Sequence, residues 1–273
     1  MNLTPLSPDE QVRYSRQIML PEIGETGQLK LKQASALIIG AGGLGSAASL
    51  YLAAAGVGRI GLADADAVEL ANLQRQILHD TPHIARSKAV SGRDRLLALN
   101  PEISVNAIPS RLEMGTAQTI AEGYGIILDC SDNFDTRYLI NSLCVTTCRP
   151  EVHGSVYRFE GQVAVFDARS GPCYRCLYPA PLQVMSQVES TGGIFTPVPG
   201  IIGTLMAVET LKLILGTGTP LYGQLLAYNA LESSFQKITF RKKPDCPVCG
   251  NIESHQSQKN FHPPGLSYRS LQE

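Results

Sequence analysis

The chain lacks a charge excess of either sign: 23 Lys and Arg stand against 24 Asp and Glu, a net charge of −1, with the basic residues dispersed. No basic stripe is there to follow a phosphate backbone or hold an anionic bilayer, which argues against nucleic acid and membrane as partners. The N-terminus, MNLTPLSPDEQ, lacks the apolar core of a secretory signal, and no apolar run reads as long enough to span a bilayer. The expected location is therefore cytoplasmic. Seven cysteines, an odd number without a secretory signal, argue for metal ligands and free thiols over a disulfide framework. Apolar residues are plentiful, 44% of 273 positions, enough to bury the core of one large α/β domain or two small ones.

The densest signal is Ala36–Asp66. Leu37, Ile38 and Ile39 suit a buried parallel strand, and Gly40, Gly42 and Gly45 complete G-x-G-x-x-G at its end. An Ala- and Leu-rich helix over Ser46–Ala55 stops at Gly56, and a second strand, Arg59–Ala63, delivers Asp64 about twenty residues beyond the glycines. That is a βαβ unit with a nucleotide site: glycines that let backbone amides approach a phosphate, a helix N-terminus facing the anion, and an acid for a ribose. The motif does not choose between NAD and ATP. The groups after it favour a triphosphate, because Asp66, Asn72, Arg75 and Lys88 follow the second strand, the last in a helix expected over Ile84–Leu99.

Further along, Gly125–Cys130 reads as another buried strand, and Ser131-Asp132-Asn133 can cap a helix over Phe134–Thr147. Asp132 then sits at a strand's carboxyl end, where it would serve either Mg²⁺ beside phosphates or the cap. Strands are expected within His153–Asp167, with a turn at Glu160-Gly161. Cys173 and Cys176 form one C-x₂-C pair and Cys246 and Cys249 another; together four thiolates complete a closed, structural zinc site. Between them Leu177–Pro199 reads as a long crossing loop, followed by a helix over Gly200–Leu215 and strands at Gln224–Tyr228 and Ser234–Phe240. Residues 1–10 read as a loose start. Gln11–Met19 reads as a helix with Arg13 and Arg16 together, which in isolation is a solvated basic face.

RYSRQI at 13–18, GAGGLG at 40–45, DAD at 64–66, NLQRQ at 72–76, Lys88, DCSDNFDTR at 129–137 and both cysteine pairs together resemble the MoeB/ThiF/HesA family over roughly residues 10–250. The resemblance implies an α/β fold: a Rossmann-like, doubly wound mixed sheet with a zinc-clamped antiparallel C-terminal part. It implies one adenylating domain over 1–250, with a nucleotide-binding half at about 10–150, a carrier-binding, crossing-loop and zinc half at about 151–250, and a flexible polar tail at 251–273. The implied activity is adenylation by Mg-ATP of the C-terminal glycine of a ubiquitin-like sulfur-carrier protein ending in Gly-Gly. Gly43 and its neighbours would lie on the phosphates, Asp64 on the ribose, Asn72, Arg75 and Lys88 on the phosphates, Asp132 on Mg²⁺ and Asn133 near the nucleotide; Asp66 belongs to the same motif. Arg16 would reach the partner's site in a homodimer.

The sequence departs from that pattern in one place. Many relatives carry a crossing-loop cysteine where an ungapped count puts Glu189, and Leu177–Asp245 has no cysteine at all. The expected product is therefore the free acyl-adenylate, with sulfur supplied by a separate sulfurtransferase or persulfide; otherwise Cys130, Cys144 or Cys148 would have to form the covalent link. The rival readings are a non-catalytic partner subunit of an activating enzyme and an NAD-dependent oxidoreductase.

Overall fold

A computed structural model describes residues 5–179 and 192–250; Glu189 and the tail at 251–273 lie outside them. The strands are β1 Ser35–Ile39, β2 Arg59–Ala63, β3 Ser104–Ile108, β4 Ile126–Asp129, β5 Glu151–Tyr157, β6 Glu160–Phe166, β7 Gln224–Asn229 and β8 Ser234–Thr239. They form one sheet in the order β3-β2-β1-β4-β5-β6-β7-β8. The first five are mutually parallel and the last three are antiparallel to their neighbours, which is the mixed sheet expected.

Strands β1 and β2 and the first three residues of β4 are buried on both faces, so they read as apolar runs rather than alternating ones. In β1, Ala36 and Ile38 enter one core and Leu37 and Ile39 the other, because successive side chains leave opposite faces. Helices α3 (Gly24–Gln33), α4 (Gly43–Ala54) and α5 (Lys88–Leu99) lie with the first core. Helices α6 (Ala117–Ala121) and α7 (Phe134–Thr146) lie with the second.

At the N-terminus the chain is helical earlier than expected. Ser7 and Glu10 form a reciprocal capping box that starts α1 (Pro8–Arg13), and a break at Tyr14 separates it from α2 (Ser15–Ile18). Helix α5 begins at Lys88 rather than Ile84, because Ala85 has φ +68° and cannot continue a right-handed helix. The β5–β6 turn sits at Arg158-Phe159, two residues before the expected Glu160-Gly161, with Arg158 at φ +53°. A four-residue helix, α8 (Tyr174–Leu177), carries the first cysteine pair.

Helix α9, Pro197–Leu215, corrects the expectation about apolar runs: by length and composition it is long enough to cross a membrane. Here it is packed inside the protein, against α4, β5 and β6. A Cβ on Gly203 would stand 2.3 Å from the Leu44 carbonyl oxygen, and one on Gly154 would stand 2.3 Å from Met206 Sδ. Its apolar character thus matches a core helix hydrophobic nearly all round. Glu209 remains useful there, accepting the Leu221 amide at 3.0 Å.

Candidate functional site

The order 3-2-1-4 places β1 beside β4 with their connections leaving in opposite directions, where an open α/β sheet forms a crevice beyond its strands' carboxyl ends. Gly40–Gly45 leaves β1 and Cys130–Asn133 leaves β4, so both expected motifs enter that crevice.

The glycines have separate tasks. Gly40 has φ +100°, and a Cβ there would lie 2.7 Å from the Cys130 carbonyl oxygen, so the two loops touch through backbone. A Cβ on Gly45 would fall 1.9 Å from the Gly40 carbonyl oxygen; its absence lets α4 fold back onto the turn. Gly43 meets Pro199 of α9, 2.8 Å from where its Cβ would be, whereas the same construction at Gly42 gives only ordinary contact with Gln76 Nε2 at 3.5 Å. Helix α4 starts at Gly43, three residues before the expected Ser46, and no side chain among the described residues caps it. Its first amides are therefore available to an anion.

Asp64 and Asp66 brace this turn. Asp64 Oδ2 accepts the Ala41 amide at 2.7 Å and Oδ1 accepts the Asp66 amide at 2.8 Å. Burial pushes the Asp64 carboxyl up, and those two amides only partly pull it back. Asp66 pairs with Lys88 Nζ at 3.1 Å, and its carbonyl accepts the Lys88 amide at 2.9 Å. The Lys88 side chain is only 6% exposed, so the acid holds a nearly dry ammonium at the start of α5. Arg75 Nη2 donates to Asn72 Oδ1 at 2.9 Å, and the Arg75 Cγ lies 3.5 Å from the Gly43 Cβ position.

Two neighbours escaped the sequence reading. His79 Nε2 donates to the Ala41 carbonyl at 2.9 Å, and its Nδ1 accepts from Ser91 Oγ at 3.0 Å. A carbonyl can only accept, so Nε2 carries the proton, and burial holds the ring below its ordinary pKa. Gln76 is buried with Oε1 unpartnered among the described residues. The three-residue spacing of Gln76 and His79, just after Arg75, was the available signal. The Ala41 carbonyl that His79 holds, and Gly42 beside Gln76, lie too far along the chain for spacing to reveal them.

After β4 the cap belongs to Asn133 alone: its Oδ1 accepts the Thr136 amide at 2.9 Å. Asp132 is exposed and, among the described residues, has only a long 3.4 Å contact from Asn133 Nδ2, so its carboxylate is not the cap. Arg16 is exposed in α2 and is not brought to this crevice within the chain. The adjacent Gln17 donates to Gln28 and to the Ala55 carbonyl, at the far end of α4. Twelve residues of helix put that end about 18 Å from the glycine turn.

On the antiparallel side, Cys173, Cys176, Cys246 and Cys249 converge in a buried cluster with Sγ pairs at 3.4, 3.7 and 3.9 Å. Bonds of about 2.3 Å to one tetrahedral zinc imply sulfurs about 3.8 Å apart, so the cage fits that ion with no position left open. The Lys243 amide donates to Cys176 Sγ at 3.4 Å, as an amide does toward a thiolate ligand. The other cysteines are apart from the cage. Burial pushes the Cys130 and Cys144 thiols well up, and Cys148 is half-buried near the end of α7.

The ThiF family model matches residues 14–248. The chain is 48% identical to the sulfur carrier protein adenylyltransferase of Thermus thermophilus over 251 residues, covering 89% of this chain and 92% of the relative. It is also 48% identical to the adenylyltransferase and sulfurtransferase MOCS3 of Culex quinquefasciatus, where it covers 92% of this chain but spans only 58% of the relative. Among solved structures, Escherichia coli MccB with ATP superposes with a TM-score of 0.77 at 26% identity, over 88% of this chain and 75% of that one. With the family match spanning the whole sheet, the glycine turn and three of the four cage cysteines, the chain belongs to the ThiF family.

Proposed function

We propose that this protein adenylates the C-terminal glycine carboxylate of a ubiquitin-like sulfur-carrier protein at the expense of ATP. The observation that carries the reading is the crevice itself: uncapped α4 amides, Asp64, Arg75 and Lys88 on one side and the uncommitted Asp132 on the other, in a chain nearly half identical to a named sulfur carrier protein adenylyltransferase. A C-terminal carboxyl with a pKa of about 3.5 is already ionised at neutral pH. One of its oxygens attacks the α-phosphorus, the bond to the bridging oxygen breaks, and pyrophosphate departs with that electron pair. No proton has to be removed, so no general base is needed.

The difficulty is bringing one anion to another, and that calls for fixed positive charge. Lys88 and Arg75 supply it, each held by a neighbour that an incoming phosphate would compete with, Asp66 and Asn72. Asn133 holds the loop on which Asp132 stands. Asp132 would hold Mg²⁺, which when bound neutralises charge on the departing pyrophosphate. Zn²⁺ in the four-cysteine cage would tie α8 to the segment before residue 250 without touching the reaction. In a homodimer, Arg16 would serve the other subunit's site, since its own lies a helix length away.

With no cysteine in Leu177–Asp245 and the Cys130 and Cys144 thiols raised, the free acyl-adenylate is the product offered to a separate sulfurtransferase. Pyrophosphate exchange into ATP, measured against a panel of small proteins ending in Gly-Gly, tests the reading. Exchange should require one such carrier, and absence of exchange with every one of them, or exchange without any, would overturn it.

A further inference from the structure

Beneath α7, on the face of the sheet opposite α4, three ionisable side chains meet in the dry interior. Strands β4 and β5 pair in register with Asp129 beside His153 and Ile127 beside Glu151. Glu151 and His153 are two apart on one strand and so leave the same face. All three residues are 0% exposed. Asp129 Oδ2 and His153 Nδ1 are 2.8 Å apart, and one potential ligand atom from each of the three lies within 4.8 Å of the others.

Glu151 is the anomaly. Both its carboxyl oxygens are buried with no hydrogen-bond partner among the described residues. An interior carboxyl without a donor is costly, and an unplaced water or ion is among its ordinary explanations. The dimensions suit an ion: two atoms bound at about 2.1 Å to one cation stand about 3 Å apart when adjacent and about 4.2 Å apart when opposite. Two carboxylates and a neutral imidazole would also cancel the charge of a divalent ion. Around them, α7 contributes Arg137 and Cys144 to the electrostatic surroundings, and the Tyr174 ring stands 5.0 Å from His153.

We propose that Asp129, Glu151 and His153 form a second metal site, separate from the four cysteines, that takes one divalent first-row transition ion through two carboxylates and one imidazole. The site has a route to the crevice. Asp129 Oδ1 accepts both the amide and the hydroxyl of Ser131, at 3.0 and 2.6 Å, so an ion on Asp129 would stiffen the turn that carries Asp132. That consequence rests on the adenylation reading; the metal site does not.

The test counts metal and needs no activity. The full chain is unfolded and refolded with excess Zn²⁺, freed of loose ion, and its zinc is measured per chain. Wild type should hold two ions, Glu151→Gln one, a Cys246→Ser/Cys249→Ser double variant one, and Asp132→Ala still two. With Co²⁺ as the probe, Glu151→Gln should lose one ion while keeping the intense thiolate-to-cobalt absorption of the cysteine cage. Glu151→Leu, which removes the buried polar group altogether, is the second variant should the glutamine not fold. One zinc per chain in the wild type, two in either Glu151 variant, or loss of an ion in Asp132→Ala would overturn the assignment.

Discussion

Asp132 and Asn133 are adjacent in sequence and should separate cleanly in experiment. Asn133 accepts the Thr136 amide at 2.9 Å and so satisfies one of the orphan donors of a 13-residue helix. Replacing such a cap by alanine costs about 1 kcal/mol, which in a chain of this size lowers the melting temperature by about 2–4 °C. Asp132 makes no such contact. It is exposed, and Asp132→Ala should leave stability within about 0.5 kcal/mol of the parent. Yet if its carboxylate serves the departing pyrophosphate, its loss should slow carrier-dependent pyrophosphate exchange about 10²–10³-fold, equivalent to about 3–4 kcal/mol of transition-state stabilisation. Thermal unfolding and exchange measured on the same two variants decide the matter. A melting shift for Asp132→Ala as large as that for Asn133→Ala, or near-normal exchange in Asp132→Ala, would refute the division of labour.

A mixture of Arg16→Ala and Arg75→Ala chains, each inactive alone, should recover about a quarter of wild-type exchange if dimers reassort at random, because half the dimers then hold one intact composite site. No recovery after verified subunit exchange would place Arg16 outside the partner's site. His79 is held below its ordinary pKa of 6.5 by burial, so the unfolded chain takes up its proton first. Its contribution to stability is therefore intact above about pH 6.5 and falls as pH drops below it, by at most about 1.4 kcal/mol per pH unit. Denaturant titrations from pH 5 to 8 should show a shallower acid slope in His79→Gln than in wild type. Gly45→Ala, whose Cβ would fall 1.9 Å from the Gly40 carbonyl oxygen, should abolish ATP binding by forcing α4 off the turn; retained nucleotide affinity would contradict that packing. Stripping metal from the cysteine cage should lower the melting temperature, and readdition of Zn²⁺ should restore it, since closed tetrathiolate sites contribute on the order of 10 kcal/mol of apparent binding energy.

Much of this was legible without coordinates because it is local or compositional. A strand buried on both faces favours an apolar run, a turn touching its own helix must be glycine, and two C-x₂-C pairs can share one metal wherever the chain brings them. Those constraints appear as runs and spacings, so β1, β2, the glycine turn and the cysteine pairs stood where they were expected. The tertiary structure decided what depends on partners remote in sequence. It assigned the α7 cap to Asn133 rather than Asp132, set Gln76 and His79 beneath the glycine turn, and left Arg16 a helix length from its own crevice. It also buried α9, whose composition alone would suit a bilayer, and brought Glu151 and His153 of one strand against Asp129 of another. Burial and cross-strand register arise only when separate segments pack, and no window of sequence contains both sides of such a contact.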